Sequence, residues 1–173
     1  MRAQAFLLLT LLVALGRAQQ TPVLRVVDLK VSDGAVLKAS YFASAKPGPG
    51  VLLLHQSNRT RKSWDEMAGR LAASGISTLT LDVPGHGESG GTRDDKTAAR
   101  GIETAFQYLV SQPGVQRDVI GVGGAGWLGV LGSIEVARQH SAEVKSLVLL
   151  AGPTDLNGRK FLREATKLRS RFS

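Results

Sequence analysis

The residues best suited to chemistry fall in three short stretches of this 173-residue chain: His55 closing "VLLLH", Asp82 to Ser89 in "DVPGHGES", and Gly124 to Leu128 in "GAGWL". Histidine, aspartate and serine are the side chains of general acid–base and nucleophilic catalysis at neutral pH. The third stretch is a glycine turn between an apolar run and a helical pattern, the shape that holds a nucleophile clear of a sheet. Gly126 stands at its apex and brings no reactive atom. Ser133, seven residues on within the predicted helix, reads as a packing contact. Ser74 and Ser89 read as helix-end and turn residues. With no cysteine there is no disulfide, no thiolate metal site and no cysteine nucleophile. The three histidines, His55, His86 and His140, lack the His-x-x-x-His type of spacing that a metal needs, so no metal is expected. Gly121, Gly123 and Gly126 touch the Gly-x-Gly-x-x-Gly dinucleotide pattern. No acidic residue closes a following strand at the proper distance, and no cofactor is expected.

These stretches must be positioned by the elements around them. "VLRVVDLKV" and "VLKASYF" are β-rich runs separated by "SDGA", which reads as an antiparallel hairpin from Val23 to Phe42. "SAKPGPG" reads as a loop, and "VLLLH" as a short buried strand. Trp64, Met67, Leu71 and Ala72 then fall at helical spacing, with Ser63 and Glu66 spaced as a capping box and Gly75 as the stop. "ISTLTLD" is the next strand. Ala98, Ala99, Ile102, Ala105, Phe106, Leu109 and Val110 mark one face of a second helix. "DVIGVGG" is a buried strand, "WLGVLGSIEVARQH" a glycine-rich helix and "KSLVLLAG" the last strand. After the hairpin, strands and helices alternate, which predicts an α/β fold: a doubly wound, mostly parallel sheet. In such sheets ligands bind at the carboxyl ends of the strands, where the three stretches above lie.

Composition limits the function classes. The start, "MRAQAFLLLTLLVALGRAQQ", has a basic residue, an apolar run and small residues at Gly16 and Ala18, the form of a cleaved signal peptide over residues 1–18. The apolar run is short of the roughly 20 residues a spanning helix needs. The expectation is a protein exported to a periplasm or the cell exterior, with no membrane attachment after cleavage. The formal charge of +8 is concentrated at the ends. Arg2 and Arg17 lie in the leader; Arg159, Lys160, Arg163, Lys167, Arg169 and Arg171 lie in a tail that offers only Glu164 against them. A single net positive charge remains over residues 19–158, and no aromatic platform accompanies the basic tail, so no nucleic-acid partner is expected.

The segment "GVLLLHQSNRTRKSWDEMAGRLAASGISTLTLDVPGHGES" resembles the α/β-hydrolase superfamily. It matches the family's strand ending in His-Gly or His-Gln, its tryptophan-bearing helix and its Asp-x-x-Gly-His-Gly-x-Ser turn. Within the superfamily it looks most like dienelactone-hydrolase and serine-aminopeptidase-like esterases, and the likeness runs from about Val23 to Asp155. The resemblance implies cleavage of esters or related acyl compounds by a serine at the elbow of a Gly-x-Ser-x-Gly turn. In "GAGWLG" that serine position is Gly126, and Leu128 replaces the second glycine. The oxyanion donors would be the backbone N–H groups of Gln56 and Trp127. His55, Asp82 and His86 would line the site: His55 as a hydrogen-bonded scaffold residue, Asp82 as a turn organiser and His86 as part of the turn. His140 reads as a helix-end residue, and Asp155 lies before the position where the family's acid falls.

The family's catalytic histidine follows the last strand, and this sequence ends ahead of it. Residues 19–158 are expected to form the six-strand front of the domain. Residues 159–173 are expected to be a basic tail or cut-off helix, with a truncation or frameshift near Lys167. The resulting expectation is a hydrolase-type protein with little or no turnover. It would take a small acyl or ester ligand, or a partner protein at an exposed sheet edge.

Overall fold

A computed structural model describes residues 23–152. The leader 1–18, Asp155 and the tail 159–173 lie outside the described residues.

The predicted hairpin forms from β1 (Val23–Lys30) and β2 (Val36–Ala43), paired antiparallel with Val27 opposite Ala39. Three further strands, β3 (Gly48–Leu54), β4 (Ser77–Leu81) and β5 (Val115–Ala125), and the last, β6 (Val144–Leu150), complete one sheet in the order β1-β2-β4-β3-β5-β6. β2 meets β4 antiparallel; β4, β3, β5 and β6 run parallel. The helices are α1 (Asp65–Ala73), α2 (Asp95–Ser111) and α3 (Gly126–Gln139). Parallel neighbours need crossover connections, and the helices supply them.

Period-two alternation divides the core between the two faces. Leu37, Ala39, Tyr41, Leu52, Leu54, Leu79 and Leu81 point to one side, where Ile102, Ala105, Phe106 and Leu109 of α2 and Val130 and Ile134 of α3 close over them. On the other face Phe42 packs on Ala68 and Ala72 of α1. Among the described residues, α1 covers only part of that face. An apolar cleft of about 400 Å³ runs along it between α1 and the β5–β6 side of the sheet. Met67, Val148 and Leu150 are about half exposed there.

Three local expectations are corrected. The "SAKPGPG" loop ends early, because β3 begins at Gly48. Pro49, which has no N–H to give, sits where the pairing to β5 shifts register between Gly48 and Gly50. A side chain at Gly48 would run into the Gly75 carbonyl, so glycine lets the strand pass. The capping box does not form. A 3-10 turn, Arg61–Trp64, precedes α1; the Ser63 hydroxyl donates to the Thr60 carbonyl at 2.7 Å, and Glu66 pairs with Arg70 at 2.6 Å. Ala99 on α2 is exposed. Thr97 and Gly101 are buried instead, since α2 approaches Pro84 closely enough that a Cβ on Gly101 would meet the proline ring at 2.5 Å. Asp94 caps α2 by accepting from the Thr97 N–H at 2.8 Å.

Candidate active site

The parallel strands deliver His55, Asp82 and Gly126 to the same edge of the sheet, one at the end of each of β3, β4 and β5. Parallel pairing puts these ends side by side: Leu54 lies opposite both Leu81 and Gly124.

His55 is fully buried, and both ring nitrogens are engaged. Nε2 accepts from the Val83 N–H at 3.1 Å, so the proton sits on Nδ1, which donates to the Gln56 carbonyl at 2.8 Å. Burial is the largest influence on its pKa and pushes it below the ordinary 6.5. A neutral imidazole with neither nitrogen free joins two loops and has no lone pair to offer as a base. His86 lies 5.5 Å away, ring centre to ring centre, with Nδ1 3.0 Å from the Pro84 carbonyl.

Asp82 is also fully buried and organises the turn that follows it. Its carboxylate accepts from the Arg61 N–H at 2.6 Å, from the Glu88 N–H at 2.9 Å and from the Arg61 guanidinium. Arg61, itself 2% exposed, donates onward to Ser40 at 3.1 Å and to Glu88 at 2.7 Å. Glu88 is held down to about 2, first by its hydrogen bond from Lys62 and then by Arg61. The buried charge is therefore shared among groups from β2, the 3-10 turn and the "DVPGHGES" turn. Gly87, at φ +54°, is required because a Cβ would collide with the Asp82 carboxylate. Ser89 donates to the Asp82 carbonyl at 2.5 Å and accepts from the Lys38 N–H at 2.9 Å.

At the end of β5 the chain reverses into α3 through Gly126, whose φ of +61° is the left-handed conformation of a nucleophile elbow. Gly124 and Gly129 let α3 lie directly on the strands: a Cβ on Gly129 would meet the Leu54 carbonyl at 2.5 Å, and one on Gly124 would meet Ser133 Oγ at 2.5 Å. The close-approach role thus belongs to Gly129, so Leu128 in place of a glycine leaves the turn intact. Trp127 is the second residue of α3, and its N–H is among the first four of the helix, which have no intrahelical partner. Its indole is 45% exposed and lines a groove of about 270 Å³ between α2 and α3.

No protein-family model and no curated protein matches the sequence. Solved structures do match. An α/β hydrolase, GrgF from Penicillium sp. sh18, superposes with a TM-score of 0.68 at 21% identity, over 75% of this chain and 46% of that one. The Pyrococcus furiosus esterase Pf2001 gives 0.64 at 23% identity, over 79% and 54%. A hypothetical protein, PA2218 from Pseudomonas aeruginosa, gives 0.67 at 21%, over 87% and 52%.

The chain has the α/β-hydrolase fold. It spans about half the length of these three structures.

Within that hydrolase fold the predicted positions come together unequally. Gln56 and Trp127 flank Gly126, while His55, Asp82 and His86 belong to the neighbouring scaffold. Ser133 is fully buried beneath β5 with an unpartnered hydroxyl, and Ser74 donates to the Arg70 carbonyl at the end of α1. His140 bonds Glu103 at 2.8 Å and stacks on Phe106. Sequence reading missed Arg61. The stretch "NRTRKS" looks like a polar loop, and the partners that bury Arg61 lie 21 and 27 residues away. The larger cleft is not the strand-end site, since neither Gln56, Gly126 nor Trp127 lines it.

Proposed function

We propose that this chain is an exported α/β-hydrolase-fold protein of the ester and acyl class that turns over little or no substrate by itself. One observation carries the reading: the elbow has its left-handed backbone, but the residue there is glycine. Hydrolysis through an acyl-enzyme forms a bond between a side-chain oxygen and the substrate carbonyl carbon, and Gly126 supplies no such atom. The neighbouring histidine does not replace it, because both its nitrogens are committed to backbone groups. The N–H groups of Gln56 and Trp127 leave binding of a small acyl or carboxylate ligand open to the fold without turnover. The purified protein, assayed against nitrophenyl esters of short and medium chain length, is expected to give rates equal to buffer. Saturable turnover that survives repurification would overturn the reading.

The export part rests on the leader. N-terminal sequencing of protein recovered from the periplasm or medium is expected to begin at Gln19; retention of Met1 in cytosolic protein would remove it. A second reading, a module that binds another protein, is supported by the half-exposed apolar residues Met67, Val148 and Leu150 around the cleft and by the outer edge of β6, which pairs with no further strand among the described residues. A complex whose formation is abolished by Val148→Glu, with the folded state unchanged, would favour it over the first.

A further inference from the structure

We propose that Gln56 is a plug fitted to the elbow, so that Gln56 and Gly126 form a matched pair and residue 126 has no room for any side chain while Gln56 is in place. A Cβ built on Gly126 would lie 2.6 Å from Gln56 Cβ and 3.5 Å from its Cα. The first distance is far inside carbon–carbon contact. The obstructing atom is the root of the Gln56 side chain, which moves only if the backbone moves. That backbone is tied on several sides. The Gln56 carbonyl accepts from His55 Nδ1 at 2.8 Å and from the Arg59 N–H at 2.9 Å, its side-chain amide donates to Asn58 at 2.6 Å, and His55 is anchored to Val83.

The space a side chain would need at the elbow is therefore filled. Restoring a serine at Gly126 alone would set its Cβ against Gln56. This differs from the neighbouring glycines. At Gly124 and Gly129 the obstructing atoms include backbone carbonyls of Gly129 and Leu54, which no substitution removes. At Gly126 the obstruction is one side chain. The inference rests on packing alone and holds whether or not the protein is catalytically silent.

The test is a double-mutant cycle on the full chain, read as unfolding equilibrium constants from denaturant titration. The positive φ at position 126 penalises Gly126→Ala equally in both backgrounds and cancels from the cycle. Gly126→Ala is expected to cost at least about tenfold more in the folding constant with Gln56 present than in the Gln56→Gly background. Gln56→Ala keeps the obstructing Cβ and is expected to give no such relief. Equal costs in the Gln56 and Gln56→Gly backgrounds, within about twofold, would overturn the proposal, as would relief by Gln56→Ala equal to that by Gln56→Gly. If Gly126→Ala alone does not fold, Gly126→Asn, which carries a Cβ but tolerates the left-handed region, takes its place in the same cycle with the same two outcomes.

Discussion

At the end of β4, Gly85 and Gly87 turn the chain with φ of +73° and +54°; at the end of β5, Gly126 does so with +61°. In both places another residue occupies the space a Cβ would need. At Gly87 the occupant is the Asp82 carboxylate, a buried charge held by Arg61 and by the Arg61 and Glu88 N–H groups. At Gly126 it is the aliphatic root of Gln56. The first turn spends its polar groups on holding itself and the 3-10 turn together. The second has a left-handed backbone and a glycine at its apex, which carries no reactive group. The difference teaches that a strand-end turn can hold its geometry through apolar packing as well as through buried charge.

The comparison is broken most forcefully at Arg61. Arg61→Ala leaves the Asp82 carboxylate buried without its cationic partner and is expected to cost about 3–5 kcal/mol, measured by denaturant midpoint. A loss under about 1 kcal/mol would mean the network is not what holds the β4 turn. Gly87→Ala combines left-handed strain with displacement of Asp82, and about 2–4 kcal/mol is expected. His55 sharpens the same contrast through pH. Burial lowers its folded pKa below the ordinary 6.5, so below that pH the unfolded state binds more protons than the folded one. Stability from this group is complete above about pH 6.5 and falls as pH drops, by at most about 1.4 kcal/mol per pH unit. His86 and Asp82 face the same ring with opposite influences, His86 adding to the depression and Asp82 opposing it. Denaturation midpoints measured downward from neutral pH in the wild type and in His55→Gln are expected to show this slope only in the former. At the elbow, by contrast, Trp127→Ala removes a half-exposed indole and is expected to cost only about 1 kcal/mol or less. A loss matching that of Arg61→Ala would erase the distinction between the two turns.

Much of the fold is legible in the sequence because its signals are local. Alternation around "SDGA" marks the hairpin, apolar runs mark β3, β4 and β5, and the glycines of "GVGGAGWLG" mark the strand-to-helix turn. The misreadings occur where distant contacts override local signals. Pro49 and its glycines read as loop, yet β4 and β5 recruit them into a strand with a register shift. Ser63 has the spacing of a cap, yet the Arg61 N–H and guanidinium are drawn to Asp82 and the segment winds as a 3-10 turn first. Gly126 was visible as the elbow from the sequence, whereas Gln56 was visible only as a backbone donor. That its Cβ lies against Gly126 depends on β3 and β5 pairing side by side, which no local pattern encodes.

The central claim is that the elbow carries no nucleophile, and the most direct test is intact-mass analysis of the folded protein after exposure to a fluorophosphonate that labels activated serines. The account predicts an unmodified mass under conditions that label an active serine esterase to completion. A stoichiometric adduct on the folded chain, lost on denaturation before labelling and mapped to a serine between residues 23 and 152, would contradict it.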